Sequence, residues 1–372
     1  MFTKYMNEEQ YLKKINFSLF LKRDMSLLAV SCLLQGYTVK LSKSINFGFK
    51  NIAYIRNKDL TESFRTEKEL KQYNRAIKKI LTGQKPHANA LLNKGLKINS
   101  KVATLLNKKT KYQQLSNQQL GQVAKKLINL YTDLFTFTTI IPYQMGQSLT
   151  ELPKEKIYLN NKIQLKIEAL RKISLYSEYE EKILGALLKE VAKRCQLKNQ
   201  KLLFNLQKEE LFKIIKGQSD ASPQDLIKRK KYLVLATPKI NLVLTGPAVS
   251  QYYKKIIKNP ALQAKKKIIS GQIAYPGKVT ARARVIITTK ELALFKKGEI
   301  LVTISSNPEL MPAIMKAKAI IADEGGSTCH AAVISRELKI PCIVGTKNAT
   351  KNFKTGNKLE VDANLGIIKK ID

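Results

Sequence analysis

The chain has 372 residues and a formal charge of +39, so it is long enough for two or three cored domains and strongly basic. Four cysteines without C-x-x-C spacing argue against a disulfide framework or a zinc site and point to a reducing, cytoplasmic compartment; the presence of only two histidines argues against a His-based metal centre as well. The excess charge is mostly lysine spread over many segments, which implies nonspecific nucleic-acid contact at low salt rather than a base-reading device.

In chain order, residues 1–40 read as one or two amphipathic helices, with Leu19, Leu21, Met25, Leu28 and Val30 among the apolar positions. Glu8 and Glu9 sit where a signal peptide would need an apolar core. Residues 46–64 alternate around Gly48 and Asn57-Lys58-Asp59, which predicts a small β-hairpin or meander. Helical spacing then predicts helices over 67–81, 87–107, 116–145, 155–169, 178–195 and 208–216. His87, after Pro86 at a helix start, has no expected catalytic role. Residues 127–145 form the most apolar run, but Asn129 and Asp133 interrupt it and Pro142 lies near its end, so a buried helix is expected and no membrane span. Ser222-Pro223 reads as a helix cap with proline in the first turn, 232–236 and 240–244 as a second hairpin, and Gly246-Pro247 as the opening of a helix to 257. Lysine-rich residues 258–267 read as a linker or a solvated helix end. From Ile268 onward there are 16 Lys/Arg against 9 Asp/Glu, so most of the basicity belongs to the body before it.

The last hundred residues read as an α/β unit. Val279, Ala281, Ala283 and Val285 alternate with polar residues as in a half-exposed strand, and 300–303 is a short buried strand. Pro308 opens a predicted helix through 316; 319–322 is a strand, 330–338 a helix, 342–345 a strand and 359–371 a closing hairpin. Between the 319–322 strand and the 330–338 helix lies the most informative stretch of the chain, Asp323-Glu324-Gly325-Gly326-Ser327-Thr328-Cys329-His330. A glycine pair lets the backbone approach a ligand closely, and the unpaired amides of a helix start favour an anion. The same field opposes protonation of the ring and keeps a lone pair free for attack. Thr328 either caps the helix or donates its hydroxyl to a phosphate, while Cys329 is expected to pack as a small residue. Arg336 lies about 240° around the helix from His330, so an ion pair or docking to another domain is expected of it. Asp323 and Glu324 point aside or orient the imidazole.

The pieces GQIAYPGKV (271–279), GGSTCH (325–330), Ser335-Arg336-Glu337 and IPCIVGT (340–346) resemble the mobile phosphohistidine domain of the phosphoenolpyruvate-utilising enzymes, and Thr328-Cys329-His330 most resembles the synthase branch. The resemblance implies that His330 is the phosphorylated nucleophile, that Gly325, Gly326, Ser327, Thr328 and Cys329 support the phosphate, and that Arg336 and Glu337 dock or pair. It also implies that this domain swivels between a nucleotide site and a pyruvate site. No stretch of 1–265 reads as an ATP-grasp domain, a phosphate-binding Gly-x-x-x-x-Gly-Lys loop or a (β/α) barrel. The expectation is therefore a phosphotransferase or its phosphocarrier component with no cofactor or metal bound directly. Mg-ATP or phosphoenolpyruvate would supply the phosphoryl group through a partner ATP-grasp and/or pyruvate-binding subunit. The alternatives are a non-catalytic partner- or RNA-binding protein with a vestigial phosphohistidine domain, and a kinase with an unrecognised nucleotide site. The expected fold class is α+β multidomain: a mainly α-helical body over 1–257 with a small β-hairpin, a linker at 258–267, and a swivelling β/β/α domain over 268–372.

Overall fold

The computed structural model describes residues 15, 17–56, 60–83, 87–108, 110–149, 152, 161–172, 175–218, 222–256, 268–287, 289–306, 308–326 and 329–371. The expected linker 258–267 and the Asn57-Lys58-Asp59 turn lie outside these residues. The chain divides into two compact units, residues 1–149 with 153–258 and residues 150–152 with 259–372.

The first unit combines helices with a five-stranded antiparallel sheet. Strands β1 (Phe17–Arg23), β2 (Ile52–Arg56), β3 (Thr61–Thr66), β4 (Tyr232–Ala236) and β5 (Asn241–Thr245) are ordered β1-β3-β2-β4-β5. The expected small hairpin is thus only the centre of a larger sheet. The two hairpins, about 180 residues apart in the chain, join through β2 and β4 in the register Tyr54↔Val234. Residues 17–23 are strand rather than helix, pairing Phe17↔Thr66 and Leu19↔Phe64. A seven-residue Phe/Leu-rich segment satisfies either period, and the open edge of β3 decides between them. Of the other apolar positions expected on an N-terminal helix, Leu28 and Val30 lie on the Leu27–Gln35 helix, capped by Ser26, whose hydroxyl accepts from the Ala29 amide at 3.1 Å. One face of the sheet packs Phe17, Ala53, Ile55, Phe64, Leu233 and Leu235 with Ile240 and Val249.

The helices start where the sequence supplies caps. Thr66 accepts from the Glu69 amide to open Glu67–Thr82, and Ser116 with Gln119 forms a capping box at Asn117–Leu134. Tyr73, Ile77 and Leu81 bury one face of Glu67–Thr82. The single helix expected over 116–145 runs as Asn117–Leu134 and Ile141–Leu149 with a π turn, Phe135–Ile140, between them. Another π turn, Tyr179–Leu184, interrupts the helix expected over 178–195. Such turns insert one residue per bond and leave no mark on 3.6-residue periodicity. Among the described residues no helix is long and apolar enough to cross a membrane.

The second unit is built on strands β6 (Ile268–Ser270), β7 (Gln272–Tyr275), β8 (Lys278–Ile286), β9 (Ile300–Thr303), β10 (Ala319–Ala322), β11 (Cys342–Val344), β12 (Lys358–Asp362) and β13 (Ile367–Lys370). Their order is β6-β13-β12-β8-β9-β10-β11-β7. Because β6 and β7 are consecutive and joined only by Gly271, the two ends of that order are one bent strand, and the sheet closes on itself. Strands β8 to β11 are mutually parallel and the others join antiparallel. The short apolar runs of β9, β10 and β11 are buried on both faces. Ile300, Val302, Ala319, Ile321 and Ile343 pack with Ile269, Leu359, Val361 and Ile368 on one side of the sheet. Leu301, Ile320, Ala322, Cys342 and Val344 pack on the other, against Ala331 and Ala332 of the His330–Leu338 helix. The helix expected over 308–316 is a 3₁₀ turn, Pro308–Leu310, followed by one α turn, Met311–Ile314, because Pro312 interrupts the first turn's donors.

Candidate functional site

Strand β10 delivers the chain to a turn anchored by main-chain hydrogen bonds at Asp323, Glu324 and Cys329. The Asp323 and Glu324 amides donate to the carbonyls of Thr303 (3.0 Å) and Ile304 (2.7 Å), extending the β9–β10 pairing by two residues. Of the glycine pair, only Gly325 has a positive φ, +118°. A Cβ at Gly325 would lie 2.7 Å from Cys329 Sγ, so the position needs glycine for both conformation and space. The Gly326 carbonyl accepts from the Cys329 amide at 3.0 Å and closes the turn. Ser327 and Thr328, expected to support a phosphate, lie outside the described residues.

The helix cap is Cys329. Its Sγ accepts from the Ala332 amide at 3.4 Å, and its side chain is buried in the core beneath the helix. His330 is the first helical residue. The first main-chain bond of the helix runs from the Val333 amide to the Cys329 carbonyl. The amides of His330 and Ala331 therefore precede the intrahelical ladder at the positive end of a nine-residue helix.

The imidazole is half-buried, and its Nδ1 lies 3.3 Å from Ser306 Oγ. Ser306 was not singled out by the sequence; it follows β9 in a Ser-Ser-Asn-Pro loop, and nothing in the local pattern marks which of those residues turns toward the turn after β10. Burial lowers the His330 pKa below its usual value of 6.5, and the Glu337 carboxylate, two helical turns along on the same face, partly opposes this. Burial thus favours the neutral ring. A group whose folded pKa is depressed contributes stability above its unfolded pKa, and that contribution is lost as pH falls through the lower folded value. Titrated by NMR, His330 is expected to show a pKa below 6.5, and Glu337→Gln to lower it further. A value at or above 6.5 would contradict the burial seen here.

Asp323 points aside and does not orient the imidazole. Its buried carboxylate accepts from Thr346 Oγ1 (2.8 Å), the Ala349 amide (2.5 Å) and both the amide and hydroxyl of Thr350, tying the end of β10 to the start of the Ala349–Asn352 helix. Burial pushes its pKa up, and these donors pull it the other way. Arg336 is exposed and donates Nε to the Ala274 carbonyl of β7 at 3.3 Å. Glu337 is exposed on the outer helix face. The structure therefore brings together Gly325, Gly326, Cys329, His330 and Ser306, and leaves Arg336 on another side of the helix.

Residues 295–366 match the family described as PEP-utilising enzyme, mobile domain, so the C-terminal quarter of the chain carries that domain. Among curated proteins, the phosphoenolpyruvate synthase of Pyrococcus furiosus is 50% identical over 103 residues, covering 28% of this chain and 13% of the relative. That of Aquifex aeolicus is 40% identical over 144 residues, covering 38% and 17%. This chain thus spans less than a fifth of the length of these relatives. Among solved structures, Enzyme I (nEIt) aligns over 76% of this chain and 79% of its own at 12% identity with a TM-score of 0.21, too low to carry an argument.

Proposed function

We propose that the chain acts in phosphoryl transfer through a phosphohistidine on His330. With Ser306 Oγ accepting from Nδ1–H, the lone pair resides on Nε2. Nε2 attacks the terminal phosphorus of the donor, the P–Nε2 bond forms as the donor's P–O bond breaks, and the leaving group departs with the electron pair while Nδ1 keeps its proton. The amides of His330 and Ala331 and the turn at Gly325-Gly326 hold the transferred oxygens. In a second step the acceptor's oxygen takes the phosphoryl group and restores the neutral ring. The donor would be Mg-ATP or phosphoenolpyruvate, held by an ATP-grasp and/or pyruvate-binding partner; the relatives' names support phosphoenolpyruvate chemistry in general.

The observation that carries this reading is a half-buried histidine at the first position of a helix, beside Gly325 in a conformation that favours glycine. The test supplies a nucleotide site and a pyruvate site in trans. The chain is incubated with β- or γ-labelled ATP or labelled phosphoenolpyruvate, together with a phosphoenolpyruvate synthase whose own phosphoacceptor histidine is replaced. Wild type is expected to take up acid-labile, alkali-stable label, and His330→Ala to fall to background. Absence of label with every donor, or label that survives His330→Ala, would overturn the proposal.

A further inference from the structure

The first unit contains an open cleft of about 1740 Å³ between the loop that precedes β2 and the Glu67–Thr82 helix. Lys68, Gln72, Arg75 and Lys79 lie along it at spacings of four, three and four, so one helix face presents a row of polar and cationic side chains. At 1.5 Å per residue the row is about 16 Å long. Lys43, on the short Leu41–Ile45 helix, and Lys50, on the loop, line the opposite side, and all five cations are exposed. The buried lining carboxylate, Glu69, is occupied within the fold: it accepts from the Lys50 and Asn51 amides at 2.7 and 3.2 Å and from the Thr66 hydroxyl at 2.7 Å.

The cleft also holds an aromatic ring. Phe47 is half-buried, stacked on Tyr73 with centroids 5.6 Å apart and 23° between planes, and edge-on to Phe49 at 5.0 Å. The loop carrying it is fixed by Gly48, where a Cβ would meet the Thr38 carbonyl oxygen at 2.3 Å, and by the Phe49 amide donating to the Tyr37 carbonyl. The platform is therefore preorganised.

From this convergence we infer that the cleft binds single-stranded nucleic acid, the lysine row following the phosphates and Phe47 taking one base. Exposed flexible cations along an open, extended cleft suit a polymer with regularly spaced charges. A mononucleotide site would call for an enclosed pocket with a few fixed polar groups. The chain's diffuse basicity does not by itself concentrate charge beside a rigid ring; this cleft does.

Anisotropy with fluorescein-labelled 15-mers of oligo-U and oligo-dT, on the full chain, tests the inference. Lys68→Glu/Arg75→Glu/Lys79→Glu is expected to weaken binding at least tenfold at low salt and to reduce the salt slope by about 2, since each lost contact to a single strand removes about 0.7. The charge-matched control Lys97→Glu/Lys101→Glu/Lys125→Glu, also exposed and outside the cleft, is expected to lose less than about threefold. Phe47→Leu should weaken binding about fivefold with the slope unchanged. The Gln versions of the cleft variant carry the same direction if charge reversal disturbs folding. Equal losses in the two triple variants would reduce the effect to diffuse attraction and overturn the inference. So would the absence of binding at 50 mM KCl, or displacement of the oligomer by ATP at matched phosphate concentration. The two probes distinguish RNA from DNA.

Discussion

Gly271→Ala is expected to lower the stability of the C-terminal unit by about 3 kcal/mol, as overpacking against main chain does. The added Cβ would stand 2.6 Å from Ile343 Cγ2, 2.7 Å from the Val344 carbonyl oxygen and 2.8 Å from Thr346 Cγ2. Two of these neighbours belong to β11, the strand that pairs with β7 just beyond the bend. The backbone oxygen cannot rotate away as a side chain could, so the strand must move. The Gly271 amide also donates to the Gly366 carbonyl at 3.0 Å, on the side of β13. One residue without a side chain therefore lets a single strand pair with opposite ends of the sheet. In differential scanning calorimetry, the transition of this unit should fall by about 10 °C or more while that of the first unit holds. An unchanged transition would mean the bend is not closed as described.

Asp323→Ala should cost about 3 kcal/mol, because four donors from Thr346, Ala349 and Thr350 converge on one buried carboxylate and would be left without an acceptor. The effect reaches the site through the backbone, since Asp323 is two residues before Gly325 and its own amide is held by the Thr303 carbonyl. Urea unfolding at fixed pH measures the loss, and a change below about 1 kcal/mol would show that these donors find water or other partners instead.

The central elements of the C-terminal unit were legible because their signals are local. Ile300–Thr303 and Ala319–Ala322 are uninterrupted apolar runs, and Gly325-Gly326 followed by His330-Ala331-Ala332 marks a strand-to-helix turn. In the first unit, Pro223 after Ser222 marked a helix start for the same reason. What stayed hidden depends on residues distant in the chain. Pairing of Tyr54 with Val234 turned two hairpins into one sheet, and the edge of β3 made a strand of Phe17–Arg23. At the site, the sequence named the histidine and its glycines but could not find Ser306, 24 residues earlier, or see that Asp323 turns toward Thr346 and Thr350. Cys329 read as a small packing residue; it packs, and it also caps the helix with sulfur.

Arg65 differs in kind from the other cations among the described residues. It is fully buried, with Nη1 donating to Ser63 Oγ and the Phe64 carbonyl, Nη2 donating to the Tyr54 hydroxyl, and Phe20, Tyr37, Phe49 and Tyr54 rings 4.4 to 5.3 Å from its guanidinium carbon. Among the described residues no carboxylate pairs with it. Counterions cannot reach a guanidinium sealed among rings. The first unit thus holds a buried positive charge whose attraction to π-electrons salt cannot screen, while the exposed lysines lie open to every counterion.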